Sequence, residues 1–421
     1  MNSQDHSKYC SKYKICLIYL SVLLLVFISE YFYHELLLRL SFPVIRSIQS
    51  KILNSPFKLN VLEFFTECGT KNGIGVVLLF SYVFMSIKNS FLMVNVLSVG
   101  VFSDNLLKEL YAKPRPYLLD MLIKPVDCEL SFGNPSGHSL NSILFFLTLW
   151  HIMTDSEYFK QRKLMKYIFL ISTIMFVFII MFSRLALGAH SLNQLLFGFS
   201  VGVSIYFGIF HILEAKDIPV DTFFKLFSSF AYILTMTAIY TFTIVLNVCL
   251  IHFNNHDMKK YLTIIKEICP YKSLVHSFDY GATFNCFIIF FSIGSHIGVY
   301  ILLRYMNLLS NGNYESEEIS KEQYQKLNQW NDFELKNIVV RTILFVISTL
   351  PFHISLTVSD KSSKFTNYFF KMILPNFLAS LLLFSISIIV YKNNLAEIQK
   401  DATDNKKEQI EEYQVISIKE T

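Results

Sequence analysis

The sequence predicts an all-α fold, a polytopic membrane helical bundle, and three observations carry that prediction. Of 421 residues, 53% are hydrophobic and only 16% are charged, where a soluble domain carries roughly a quarter charged residues. Mean hydropathy is positive, at +0.43. Apolar runs approaching the ~20 residues needed to cross a bilayer recur along the whole chain. The net charge of +5 is small and scattered, so it leaves no footprint of nucleic-acid binding.

The first run, residues 15–32, follows Lys8, Lys12 and Lys14. A positive flank before an apolar run also describes a signal peptide. Here the bulky Tyr31-Phe32-Tyr33-His34 follows in place of a small-residue cleavage site, which predicts a retained helix. Residues 35–74 are mixed, with short apolar pieces suited to the membrane interface. Further spans are predicted near 75–88, 91–111, 139–153, 167–183, 192–213, 226–250, 284–303, 338–357 and 369–391. The total is about ten.

Lysine and arginine then orient the spans, because cytoplasmic loops carry the excess. The amino-terminal lysines, the cluster Lys160/Arg162/Lys163/Lys166, the stretch 304–336 and the tail after Lys392 share one side under this count. That side is read as cytosolic. The division expected is 1–59 for a cytosolic segment, extra span and linker, 60–392 for the membrane domain with its core near 91–213, and 393–421 for a polar tail. Seven cysteines show no CxxC pair and hence no zinc spacing. Cys68, Cys128 and Cys269 fall in loops on the non-cytosolic side and can pair in an oxidising lumen.

Three fragments carry the chemistry: Lys108-x6-Arg115-Pro116, then Pro135-Ser136-Gly137-His138, then Ser183-Arg184-x5-His190. Each stands where an apolar run ends or begins, and the helix count puts all three on the non-cytosolic face. Singly, each has a plain reading: a snorkelling lysine, a helix start with a surface histidine, an arginine anchoring a span. Together, on one face, they suit phosphoryl transfer. Lys108, Arg115 and Arg184 hold phosphoryl oxygens, one histidine attacks phosphorus and the other protonates the leaving oxygen. Pro114 and Pro116 stiffen the chain around Arg115, and a forked guanidinium holds two oxygens at once. Ser136 suits a helix cap, with Gly137 allowing close backbone approach so that N–H groups face an anion.

In these words and their order the chain resembles the type-2 phosphatidic acid phosphatase superfamily. That resemblance implies that His190 is the nucleophile, forming a phosphohistidine, and that His138 is the general acid. It also implies that Lys108, Arg115, Arg184 and the Ser136 and Gly137 amides bind phosphate, with no metal and no cofactor. Most members carry an aspartate four residues after the nucleophile, where this chain has Gln194. Glucose-6-phosphatases are similar at this position, which assigns Gln194 to orienting the imidazole. They are similar also in Cys128-Glu129 and in the segment with Cys269, Pro270, Val275 and His276. The resemblance then implies nine spans in common plus one extra amino-terminal span, and a lumenal site in the endoplasmic reticulum. The implied reaction is hydrolysis of glucose 6-phosphate, with a sugar-phosphate transporter as a partner. A lipid phosphate phosphatase using the same residues is the alternative, and the small-residue turn Leu187-Gly188-Ala189-His190 fits it. A transporter or channel would spread its charges through the spans, whereas these cluster at one face.

Overall fold

The computed structural model describes residues 3–155, 157–212, 229–269, 289–311, 335–351 and 369–385, with isolated positions between 218 and 226. The described residues form helices and their connections, with no strand among them. The polar tail, residues 312–334, Pro270, Val275 and His276 lie outside them.

Helix α1, Ser3–Ile52, runs through Pro43 and continues well beyond the expected end of the first span. The mixed composition after residue 32 therefore does not interrupt the helix. It belongs to a continuous helix in which Ser41 and Gln49 are buried against protein, while Glu35 and Arg39 stay exposed. The short α2, Pro56–Cys68, follows, and a tight turn joins α3, Lys71–Phe84, to α4, Ile87–Tyr111. Ser86 begins α4 by accepting the Asn89 N–H at 3.3 Å. The one-turn α5, Pro116–Leu119, precedes a long loop.

Beyond that loop come α6, Gly137–Met153, the short α7, Glu157–Gln161, and α8, Lys163–Ala186. Helix α9, Leu192–Phe207, widens into a π turn at Gly208–Ile212. The later helices are α10, Phe230–Phe253, α11, Asn255–Ile268, α12, Ile289–Asn311, α13, Leu335–Ser348, and α14, Leu374–Ser385. Each of the ten predicted runs lies at least partly on a helix. Among the described residues, four stretches are long and apolar enough to cross a membrane: Ile15–Ile52, Ile87–Leu119, Lys163–Ala186 and Leu192–His211. Apolar side chains such as Leu24, Leu25, Phe32, Leu164 and Ile171 point outward from the protein. Such a surface is stable against hydrocarbon and costly against water.

Two packed regions share α4. In the first, α6 packs on α4, α8 and α9, and α1 lies along α9. In the second, α12 and α14 pair closely beside α4, with α13 against α3. Arg341 ties the second region together by donating to the Val83 carbonyl at 2.9 Å. The α6–α9 contact depends on small residues. A Cβ added at Gly198 would lie 2.5 Å from the Ser136 carbonyl oxygen, and one at Gly202 would lie 2.5 Å from that of Leu140. Small residues four apart let two membrane helices touch backbone to backbone. Gly198→Ile and Gly202→Ile should each destabilise the protein by about 1–3 kcal/mol through overpacking. Thermal unfolding in detergent reads this directly, and an unchanged midpoint in both variants would contradict the close contact.

Candidate active site

Helix α4 is apolar over much of its length, and near its end Asp104 and Lys108 stand one turn apart. Both are buried, and Lys108 Nζ donates to Asp104 Oδ2 at 2.8 Å. The prolines at 114 and 116 prevent the helix from continuing. Arg115 thereby turns back beneath the following loop with its side chain fully buried. Its Nε donates to the Ser131 carbonyl at 2.9 Å, and Nη1 donates to the Ala189 carbonyl at 3.0 Å. Nη2 donates to Glu129 Oε2 at 2.5 Å and to Ser131 Oγ at 3.0 Å. Arg115 thus links two loops that are far apart in sequence.

Arg184, at the end of α8, is equally buried. It donates to Asp127 at 2.9 Å and to the other oxygen of Glu129. Its Nε has no hydrogen-bond partner among the described residues. The chain then turns at Gly188, whose φ is +75°. A Cβ there would lie 2.8 Å from Gln49 Nε2 and from Ile123 Cγ2, so glycine is required for both conformation and space. This turn delivers His190 to the two guanidiniums.

The ring of His190 is fixed at both nitrogens. Nδ1 is 2.9 Å from the Gly133 carbonyl and Nε2 is 3.1 Å from Arg115 Nη1. A guanidinium has no acceptor, so Nε2 must accept, and Nδ1 carries the proton. Burial, reinforced by the positive charges of Arg115 and Arg184, holds the imidazole well below its ordinary pKa. The result is a neutral ring with its Nε2 lone pair directed into a cationic site. That is the state a nucleophile needs. Glu129 shows the opposite balance: burial raises its pKa, but Arg115 and Arg184 outweigh burial and hold the carboxyl well below the usual range.

His138 opens α6, and its Nε2 is buried with no partner among the described residues. Ligand atoms of Glu129, His138 and His190 all lie within 4.8 Å of one another. That spacing suits a metal in principle. Here the carboxylate is already shared by two guanidiniums, and Lys108 is close enough to act on both rings, so the field favours an anion.

Two expectations need correction. The resemblance assigns Gln194 to orienting the imidazole, but the Gly133 carbonyl occupies that position. The Gln194 carboxamide instead accepts the Ser191 N–H at 3.2 Å and donates to the Pro114 carbonyl at 2.8 Å. It holds the start of α9, a use legible in the Ser-x-x-Gln spacing. The resemblance also gives the Ser136 amide to phosphate, yet this amide donates to the Gln194 carbonyl at 2.9 Å. Ser136 Oγ accepts the Ser139 N–H at 3.4 Å as an ordinary helix cap. Gly137 is required for space, since a Cβ would lie 2.4 Å from Asp104 Oδ2. Of the three cysteines expected on the non-cytosolic side, Cys128 pairs with Cys269, while Cys68 is free.

Sequence reasoning misses the support supplied by α1. Glu30 accepts from Asn134 Nδ2 at 2.8 Å and Asn193 Nδ2 at 3.1 Å, so one carboxylate holds the loops before His138 and after His190. Ser41 Oγ accepts the Leu192 N–H at 2.8 Å. Gln49 exchanges two hydrogen bonds with the Lys124 backbone, at 2.9 and 3.0 Å. A glutamate within an apolar run was the available signal.

The PAP2 superfamily model matches residues 77–218, which include Lys108, Arg115, His138, Arg184 and His190. No curated protein matches the chain. Among solved structures, a transmembrane PAP2 type phosphatidylglycerolphosphate phosphatase from Bacillus subtilis is 22% identical, with a TM-score of 0.38. That alignment covers 48% of this chain and 98% of the other.

Removing Glu30 leaves two buried carboxamides without their acceptor. Glu30→Ala should cost about 1.5–3 kcal/mol, as for other hydrogen bonds to a charged group. Glu35→Ala, which breaks an exposed pair with Arg39, should cost less than about 1 kcal/mol. Equal thermal midpoints for the two variants would refute the bracing role.

Proposed function

We propose that this protein is a PAP2-type membrane phosphatase that hydrolyses phosphoric monoesters through His190. The observation carrying this reading is the fixed His190 ring, neutral at Nε2 and set against Arg115 beside Arg184. The Nε2 lone pair attacks phosphorus, and the bond from phosphorus to the ester oxygen breaks. Burial and the Arg184 charge hold His138 below its ordinary pKa, so it takes up a proton as the phosphoryl anion binds and gives that proton to the departing alkoxide. Water then attacks the phosphohistidine, His138 takes its proton, and the phosphorus–nitrogen bond breaks to release phosphate. Arg115, Arg184 and Lys108 stabilise the charge on the phosphoryl oxygens in both steps.

For the substrate we favour glucose 6-phosphate or a similar sugar phosphate. Gln194, the Cys128-Glu129 pair and the helices following the core support it by resemblance. The bond from Cys128 to Cys269 adds support by joining two segments of that resemblance beside the site. It also fits an oxidising lumen, as in the endoplasmic reticulum, where a transporter would deliver the sugar phosphate. A lipid phosphate is the second reading, favoured by the PAP2 superfamily match. Purified protein assayed on glucose 6-phosphate, phosphatidate and a sphingoid-base phosphate separates them, and release from lipids alone would overturn the sugar reading.

His190→Ala should abolish phosphate release and the trapping of a phosphorylated protein, and full activity in this variant would end the proposed mechanism. His138→Ala should be least damaging on esters with good leaving groups, which need little protonation. Equal loss across a leaving-group series would remove His138 from the acid role. The pH profile has a definite sign, because activity falls when His190 gains a proton. Its depressed pKa places that loss below the ordinary value of 6.5. After correction for substrate ionisation near pH ~6, kcat/KM should not fall with pH down through 6.5. An acid limb above that value would contradict a neutral buried ring.

A further inference from the structure

The Glu129 carboxylate stands where the phosphatase reading places the phosphoryl group. One oxygen accepts from Arg115 at 2.5 Å and the other from Arg184. Ligand atoms of both histidines lie within 4.8 Å of it. These are the groups that bind, attack and release a phosphoryl group in the proposed mechanism. Two nitrogens nearby, Arg184 Nε and His138 Nε2, remain without partners among the described residues. A carboxylate has two oxygens to offer, while a phosphoryl group has three and a bridging oxygen besides. The larger anion can satisfy groups that the carboxylate leaves over.

Glu129 is also placed to leave. Its side chain is 26% exposed, whereas those of Arg115 and Arg184 are 0% exposed. It rides on the loop between α5 and α6, which is held by the ion pair of Asp127 with Arg184 and by the bond of Cys128 to Cys269. Tyr117 donates to its backbone carbonyl, at 3.2 Å. The backbone is therefore anchored, and side-chain rotation is the movement left to it. The guanidiniums keep further partners when it goes, Ser131 and Ala189 for Arg115 and Asp127 for Arg184.

We propose that Glu129 is a resident competitor for the phosphoryl subsite: it neutralises Arg115 and Arg184 in the free protein and exchanges with the phosphoryl group of substrate and product. The proposal rests on the phosphatase reading. It makes Glu129 a determinant of affinity, weakening substrate binding and hastening release of phosphate. Without such a competitor, two buried guanidiniums would retain the product.

Orthovanadate and inorganic phosphate test this with the full-length protein in detergent. Glu129→Gln should bind both about 10- to 100-fold more tightly, the equivalent of losing one charge-assisted contact. KM should fall with it, and Glu129→Asp, which keeps the charge on a shorter stem, should lie between. Unchanged or weaker binding in Glu129→Gln overturns the proposal, and weaker binding identifies the carboxylate as a brace. Unmodified protein that binds neither anion instead overturns the phosphatase reading on which the proposal stands. A vanadate-bound structure of the unmodified protein tests the exchange without a variant. Glu129 should have left at least one guanidinium, and retention of both contacts would refute it.

Discussion

The shared contact of Glu129 with Arg115 and Arg184 is the constraint around which the site is built. Both guanidiniums are fully buried, and an unpaired buried charge is among the most costly features a protein can contain. Their remaining donors must also be satisfied, and Arg115 does this largely with backbone carbonyls, those of Ser131 and Ala189. Ordering the arginine therefore orders the two loops that carry Gly133 and His190. The geometry of the His190 ring follows from the neutralisation of a buried cation.

Helix α1 secures the same loops from outside the guanidinium cluster. Glu30, Ser41 and Gln49 make its polar contacts to them, as does Arg46, whose Nε donates to Asp120 Oδ2 at 2.7 Å, within a helix that is largely apolar. In hydrocarbon a helix has no hydrophobic drive to associate with its neighbours, so polar contacts and close packing must position it. The closeness of α6 and α9 at Gly198 and Gly202 solves the same problem by shape. The second packed region, around α12 and α14, shares α4 with the site, and the Cys128–Cys269 bond joins the end of α11 to the loop carrying Glu129.

The fold is legible in the sequence where its cause is local. Apolar runs of sufficient length specify the helices, and Pro114 and Pro116 mark the end of α4. The three words single out Lys108, Arg115, His138, Arg184 and His190, because charge at the edge of an apolar run is conspicuous. Gln194 misleads because its spacing from His190 suggests one partner, while its spacing from Ser191 supplies another. Ser136 misleads because nothing local shows that its amide meets the Gln194 carbonyl.

Glu30 and Glu129 show the limit from the other side. Each is visible in the sequence as an acid, one in an apolar run and one beside a cysteine. Their partners lie 14 to 163 residues away, and no periodicity encodes such a pairing. The sequence by itself determined the helices, their membrane character and the inventory of candidate catalytic side chains, since these depend on composition and spacing along the chain. Only the tertiary structure decided which acceptor holds His190, which helix braces the loops and which anion fills the cationic site. Those choices depend on which donors and acceptors packing brings within hydrogen-bond distance once water is excluded.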